Sequence, residues 1–138
     1  MTFNWINIGL WALRIIAALI MLQTLFFKFT AADESVYIFS RLGMEPWGRI
    51  GTGVLELVAS LLILYPKTTA LGSLLAIGLM GGAIWFHLTK LGISVQNDGG
   101  QLFIYAWIVF VSGAILALSY RNELAVYLKK ATSISAIL

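Results

Sequence analysis

"GTGVLELVAS", residues 51–60, sets a single carboxylate in a run that otherwise reads as hydrocarbon. Glu56 is followed by apolar sequence as far as Tyr65. A charged side chain at such a position is expensive against lipid, so it needs a partner and a protein interior to face. The stretch belongs to an apolar segment running from about Gly48 to Tyr65. Three further segments resemble it, from about Ile8 to Phe29, Thr69 to Thr89 and Leu102 to Tyr120. Each comes near the ~20 residues with which an α-helix crosses the hydrocarbon core.

The bulk numbers agree. Of 138 residues, 60% are hydrophobic and 11% charged, and the mean hydropathy is +0.92. That leaves too few polar groups to coat a soluble globule, so the expected partner is the lipid bilayer. The net charge of +3 comes from basic residues scattered singly, with no stripe of the kind that binds nucleic acid. With no cysteine and one histidine, the chain offers no thiolate chemistry and too few soft ligands for zinc or iron–sulfur, so no metal site is expected. It shows no Walker-type loop and no Ser-His-Asp trio. The N-terminal apolar run lacks a basic leader and has Arg14 inside it, which reads as a retained first span.

The expected fold is all-α: one domain over residues 1–138, an integral membrane four-helix up-down bundle joined by short links. The longest link contains "DESVYIFSRLGMEPW". Its acidic start, Val36, Phe39 and Leu42 at helical spacing, and the Gly43 and Pro46 stop predict a short amphipathic surface helix between spans one and two. Basic residues tie in number between the two sides: Lys67, Arg121, Lys129 and Lys130 against Lys28, Arg41, Arg49 and Lys90. The basic tail tips the expected orientation toward cytoplasmic termini.

Residues three and four apart share a helix face. Arg14, Ala18, Met21, Thr24 and Lys28 form such a stripe in the first span; Arg49, Thr52, Glu56 and Ser60 do so in the second. Ser73, Ala76, Met80, Ala83, His87 and Lys90 follow in the third, and Gln101, Tyr105, Ser112 and Ser119 in the fourth. The four stripes should converge. By depth, Arg14 and Glu56 are expected to pair as the floor of a cavity. Lys28, His87, Lys90 and Gln101 would form its mouth, with Tyr105 and Trp85 nearby. The candidate ligand-binding set is therefore Arg14, Lys28, Glu56, His87, Gln101 and Tyr105, with no catalytic role assigned. Plainer readings stand beside it: an ion pair that only fixes helix register, an interfacial histidine, and lysines that snorkel to headgroups. Gln23 lies about half a turn off its stripe, facing another neighbour or a second subunit unless the helix kinks. Trp5, Trp47 and Trp85 read as interface anchors. Gly78-x-x-x-Gly82 and Gly113-x-x-x-Ala117 are patterns that permit close helix approach.

The order of these residues is familiar. "LRIIAALIMLQTLFFKF" is followed by "FSRLGMEPW", a Phe-x-x-Leu-Gly-x-x-Pro link. "GTGVLELVASLLILYP" and "LGSLLAIGLMGGAIWFHL" complete the pattern, the latter with an Ala-x-x-x-His ending. The chain resembles the DoxX and DoxX-like family of small four-span membrane proteins over about Leu13 to Leu88. Arg14, Lys28, Gly53, Glu56 and His87 carry the pattern. Glu45 departs from it, standing where an apolar or small residue is expected. Members include the small membrane subunit of a thiosulfate:quinone oxidoreductase, and others are linked to redox and thiol stress. The resemblance implies a membrane subunit in the bacterial inner membrane that binds a quinone or similar amphiphile and serves a soluble or membrane redox partner. His87 would exchange a proton with a carbonyl oxygen, and Glu56 would be the buried proton acceptor. Two alternatives remain: a non-catalytic anchor or assembly factor, and a small-solute transporter, which four spans would achieve only as a homo-oligomer.

Overall fold

The computed structural model describes residues 4–138, and every regular element among them is helical. Helix α1 spans Trp5–Phe29, opened by Asn4, whose side-chain oxygen accepts from the Asn7 amide. Helix α2, Asp33–Arg41, has Asp33 and Glu34 in its first turn and Arg41 in its last, so its charges complement the helix dipole. Helix α3 covers Trp47–Leu64 and stops before Pro66. Helix α4, Thr69–Phe86, runs on into a π-helical turn over His87–Leu91. Helix α5 covers Gln101–Ser119, and after a break at Tyr120 helix α6 covers Arg121–Ile137.

Helices α1, α3 and α5, and α4 together with its π-turn, are long and apolar enough to cross a membrane. They pack in a ring: α1 lies against α3 and α5, and α4 closes the other side against the same two. Helix α2 bridges α1, α3 and the π-turn at one end, as the amphipathic link predicts. The partition is that of a protein dissolved in lipid. Ile16, Leu19, Leu55, Leu61, Leu74, Val111, Ile115 and Leu118 are exposed, while Arg14, Glu56, Ser60, Ser73, His87 and Ser112 are buried. Ala17, Met21, Ala59, Ile63, Met80, Val109 and Leu116 fill the centre.

Helix α6 has no counterpart in the sequence-based expectation, which ended ordered structure at Tyr120. Its first turn and Tyr127 hold it beneath the bundle, the tyrosine hydroxyl donating to the Lys67 carbonyl at 2.9 Å. From Ala125 onward every residue is exposed. A helix with so little buried area leaves only a weak apolar period in the sequence.

The α3–α4 turn shows how chain ends are satisfied away from water. The last carbonyls of a helix lack intrahelical donors. Here Thr68 Oγ1 donates to Leu62 O at 2.7 Å and Thr69 Oγ1 to Ile63 O at 3.1 Å. Arg14 adds Nε to Ile63 O at 2.9 Å and Nη2 to Leu64 O at 3.1 Å. Glu123 sits nearby, its oxygens buried with no close donor among the described residues. Burial pushes its carboxyl pKa up, and the Ala70 and Thr69 amides and Arg14 only partly offset that.

Close helix contact falls at Gly72, not at the Gly78–Gly82 pair. A Cβ on Gly72 would lie 2.7 Å from Ile63 N and 2.9 Å from the Ala59 carbonyl, both rigid backbone of α3. At Gly78 and Gly82 a Cβ would meet nothing within 4 Å. Gly72→Ala is therefore expected to lower stability in detergent by about 1–3 kcal/mol. Gly51→Ala, in open space within α3, should leave stability unchanged or raise it. Denaturant titration followed by circular dichroism checks both.

Candidate functional site

A cavity of about 520 Å³ opens in the half of the bundle roofed by α2. Met21, Thr24 and Lys28 of α1 line it, with Thr52 and Glu56 of α3. Helix α4 contributes Leu79, Gly82, Ala83 and His87; α5 contributes Gln101, Tyr105 and Ala106. The inner face of α2 supplies Glu34, Ser35, Ile38 and Phe39. Its walls are mainly apolar.

Five of the six residues singled out from the sequence, Lys28, Glu56, His87, Gln101 and Tyr105, share this cavity. Arg14 does not line it, and the expected Arg14–Glu56 pair is absent. Glu56 is held by Lys28 instead, with Nζ 2.8 Å from Oε2 and 3.0 Å from Oε1. Thr24 Oγ1 lies 3.0 Å from Oε2 and accepts from Lys28 Nζ at 3.2 Å. The lysine and glutamate side chains are 14% and 7% exposed, so Lys28 turns inward and does not snorkel. Arg14 is spoken for by the carbonyls at the end of α3. Trp11 covers its guanidinium 3.7 Å from the ring centroid, and Tyr120 does so at 5.5 Å.

Arg49 repeats the arginine pattern at the other end. Its Nη1 donates to the Lys28 carbonyl near the end of α1, and its Nε lies 2.8 Å from Glu45 Oε1. Glu45, the departure from the family pattern, thus supplies the counter-ion of a buried arginine. Gln23 is exposed and also lines the cavity, which accounts for its place off the α1 stripe without a kink or a second subunit.

His87 opens the π-turn. Its carbonyl accepts from the Gly92 amide at 2.8 Å, and its Nδ1 lies 2.9 Å from the Gly92 carbonyl. A carbonyl can only accept, so Nδ1 carries the proton and Nε2 of the neutral ring is an acceptor. Gly92 makes this loop possible at φ +82°, where a side chain would be strained. Phe103 packs edge-on against the ring at 5.6 Å between centroids. π-turns within α-helices concentrate at functional sites.

Two carboxylates outside the spans flank the mouth. Burial pulls the Asp98 carboxyl upward. The amides of Val95, Gly100 and Leu102 outweigh that, with His87 adding to them, and hold it below the ordinary range. Burial pushes Glu34 up, and the nearby Asp98 adds to the rise. Glu34 and Ser35 are contributions the sequence reading missed. The signal was the inward face of α2, drawn through Val36, Phe39 and Leu42 when the cavity face runs through Ser35, Ile38 and Leu42.

Four spanning helices closed around an internal cavity with a buried ion pair define a small helical integral membrane protein. The chain's residues 12–97 match the model of the DoxX-like family, and the protein belongs to that family. The matched segment holds Arg14, Lys28, Glu56 and His87 and stops before Gln101 and Tyr105. No curated protein matches the chain, and neither does any solved structure.

Removing one member of a buried ion pair strands the other. Lys28→Met and Glu56→Gln are each expected to lower stability by about 3 kcal/mol. The double variant should lose clearly less than the sum, and a double-mutant cycle from denaturant unfolding in micelles measures the difference.

Proposed function

We propose that the chain is an intramembrane binding subunit for a quinone-class amphiphile, serving a redox partner. The observation that carries this reading is the cavity itself. Its volume of about 520 Å³ falls in the size range of small-molecule sites, which are mostly apolar with a few placed polar groups. A ring head group and the first units of an apolar tail fit that lining. The head would sit among His87, Tyr105 and Gln101, with the tail along Ile20, Leu79 and Phe86. The bound quinone would supply the electron-accepting centre. The protein's own part is to hold the head, exclude water and present a proton-exchanging imidazole.

The test is steric. Gly82 lines the cavity, and a Cβ there meets no atom within 4 Å. Gly82→Leu should fill the space without disturbing the fold and weaken binding of a decyl-substituted quinone at least about tenfold, roughly the worth of one displaced contact set. Binding by the purified protein, read from tryptophan fluorescence, decides it. Undiminished binding in a folded Gly82→Leu protein would remove the cavity from the account.

The orientation follows from charge. We place both termini on the cytoplasmic face of a bacterial inner membrane. Support comes from α6, which leaves the bundle there carrying Arg121, Lys129 and Lys130, with Lys67 close by. The chain has no cysteine, so Ser135→Cys is a unique label site. In intact cells a membrane-impermeant maleimide should fail to label it, and should label it once the inner membrane is opened.

A further inference from the structure

Resting on the proposed amphiphile site, the hydrogen-bond inventory goes further and names the kind of head group. An ammonium has three donors. Lys28 has three oxygen partners: both oxygens of Glu56 and the hydroxyl of Thr24. The Thr24 hydroxyl, with one proton, points it at Met21 O at 2.8 Å and Glu56 Oε2 at 3.0 Å. Thr52 donates to Gly48 O at 2.8 Å. Every donor on the α1 and α3 side of the cavity is therefore engaged within the protein.

What remains free is acceptor capacity. A carboxylate has about four lone-pair positions, and Glu56 still has some after Lys28 and Thr24 are served. His87 adds Nε2, an acceptor in the tautomer that Gly92 imposes, and no described residue hydrogen-bonds it. Free donors belong to the mouth. Tyr105 accepts from Gln101 Nε2 at 2.9 Å and keeps its own proton, and Ser35 lies on the roof.

We propose that the cavity selects an amphiphile whose head donates hydrogen bonds, a hydroxyl form such as a hydroquinone or phenol, over the matching carbonyl form. A hydroxyl reaching inward gives its proton to His87 Nε2 or to the Glu56 carboxylate. A carbonyl at the same place faces lone pairs and forces a buried acceptor against a buried acceptor. Recognition sites that hydrogen-bond a hydroxyl discriminate strongly, because the analogue lacking it leaves buried groups unpaired.

Three ligands with one decyl tail test this: the hydroquinone held reduced without oxygen, the benzoquinone, and the hydroquinone dimethyl ether, which has lost its donors and cannot be oxidised to confuse the comparison. Equilibrium binding to the purified full chain is measured at about pH 8.5, where an ordinary imidazole is neutral. The hydroquinone is expected to bind about tenfold or more tightly than either of the other two. His87→Ala should narrow that ratio while leaving the dimethyl ether's affinity as it was. Equal affinities, or a preference for the benzoquinone, overturn the inference and leave the amphiphile site standing. Binding of none of the three removes the site and the inference together.

Discussion

The seam between α1 and α3 organises the molecule. The two helices are antiparallel, and three cationic side chains cross between them at three depths. Arg14 of α1 satisfies the last carbonyls of α3, and Arg49 of α3 reaches back to the Lys28 carbonyl at the end of α1. Between them Lys28 grips Glu56. Each arginine meets the negative end of the opposite helix's dipole, where its charge is stabilised and orphan carbonyls are satisfied together. The arrangement specifies register: a slide of one turn breaks all three crossings at once. Apolar contact alone would specify it weakly, since lipid competes for every leucine.

With that seam fixed, the other helices divide the interior into a packed half and an open half. Toward the α3–α4 turn, Gly72 lets α4 press onto the backbone of α3, and the Ala59, Ile63 and Ala17 side chains leave no space. Toward α2, α4 presents Leu79, Gly82 and Ala83 to a widening gap. No spanning helix fills that gap. It is closed from above by α2, whose short length and charged outer face suit a position at the interface and not a fifth crossing. The cavity is a consequence of small residues on one face of α4 and of a roof that covers without entering.

Much of this was legible in the sequence, and the part that was not shares a cause. Four spans, the surface helix and the convergence of Lys28, Glu56, His87, Gln101 and Tyr105 follow from hydropathy and helical period, because each depends on which face a residue occupies. The pairing of Arg14 with Glu56 did not survive. Reading charges from sequence suggests that opposite charges meet, yet the strongest partners of Arg14 are backbone carbonyls, which every residue has and no residue type announces. The same blindness hid the role of Glu45 and the lock between His87 and Gly92. Both depend on local backbone geometry, a turn before α3 and a π-turn after α4. The Gly78–Gly82 spacing misled in the opposite direction: small residues permit close approach, but they equally well permit an empty space.

Stabilising the fold and presenting chemistry to a ligand fall to different residues. Lys28 and Thr24, which a list of polar side chains would nominate first, are consumed by the seam and have no donor to offer. His87 is oriented at its carbonyl and at Nδ1 by a single partner, Gly92, so its other nitrogen is fixed in direction and left unused by the protein. A buried group that is held rigidly at one end and open at the other is preorganised: ordering it on binding costs little. The π-turn supplies that rigidity. It inserts one residue into the helical repeat at the level of the cavity, letting the chain end α4, turn through Gly92 and bring Asp98 close behind the ring. The recognition chemistry of this bundle therefore sits at the one place where its helical geometry departs from regularity.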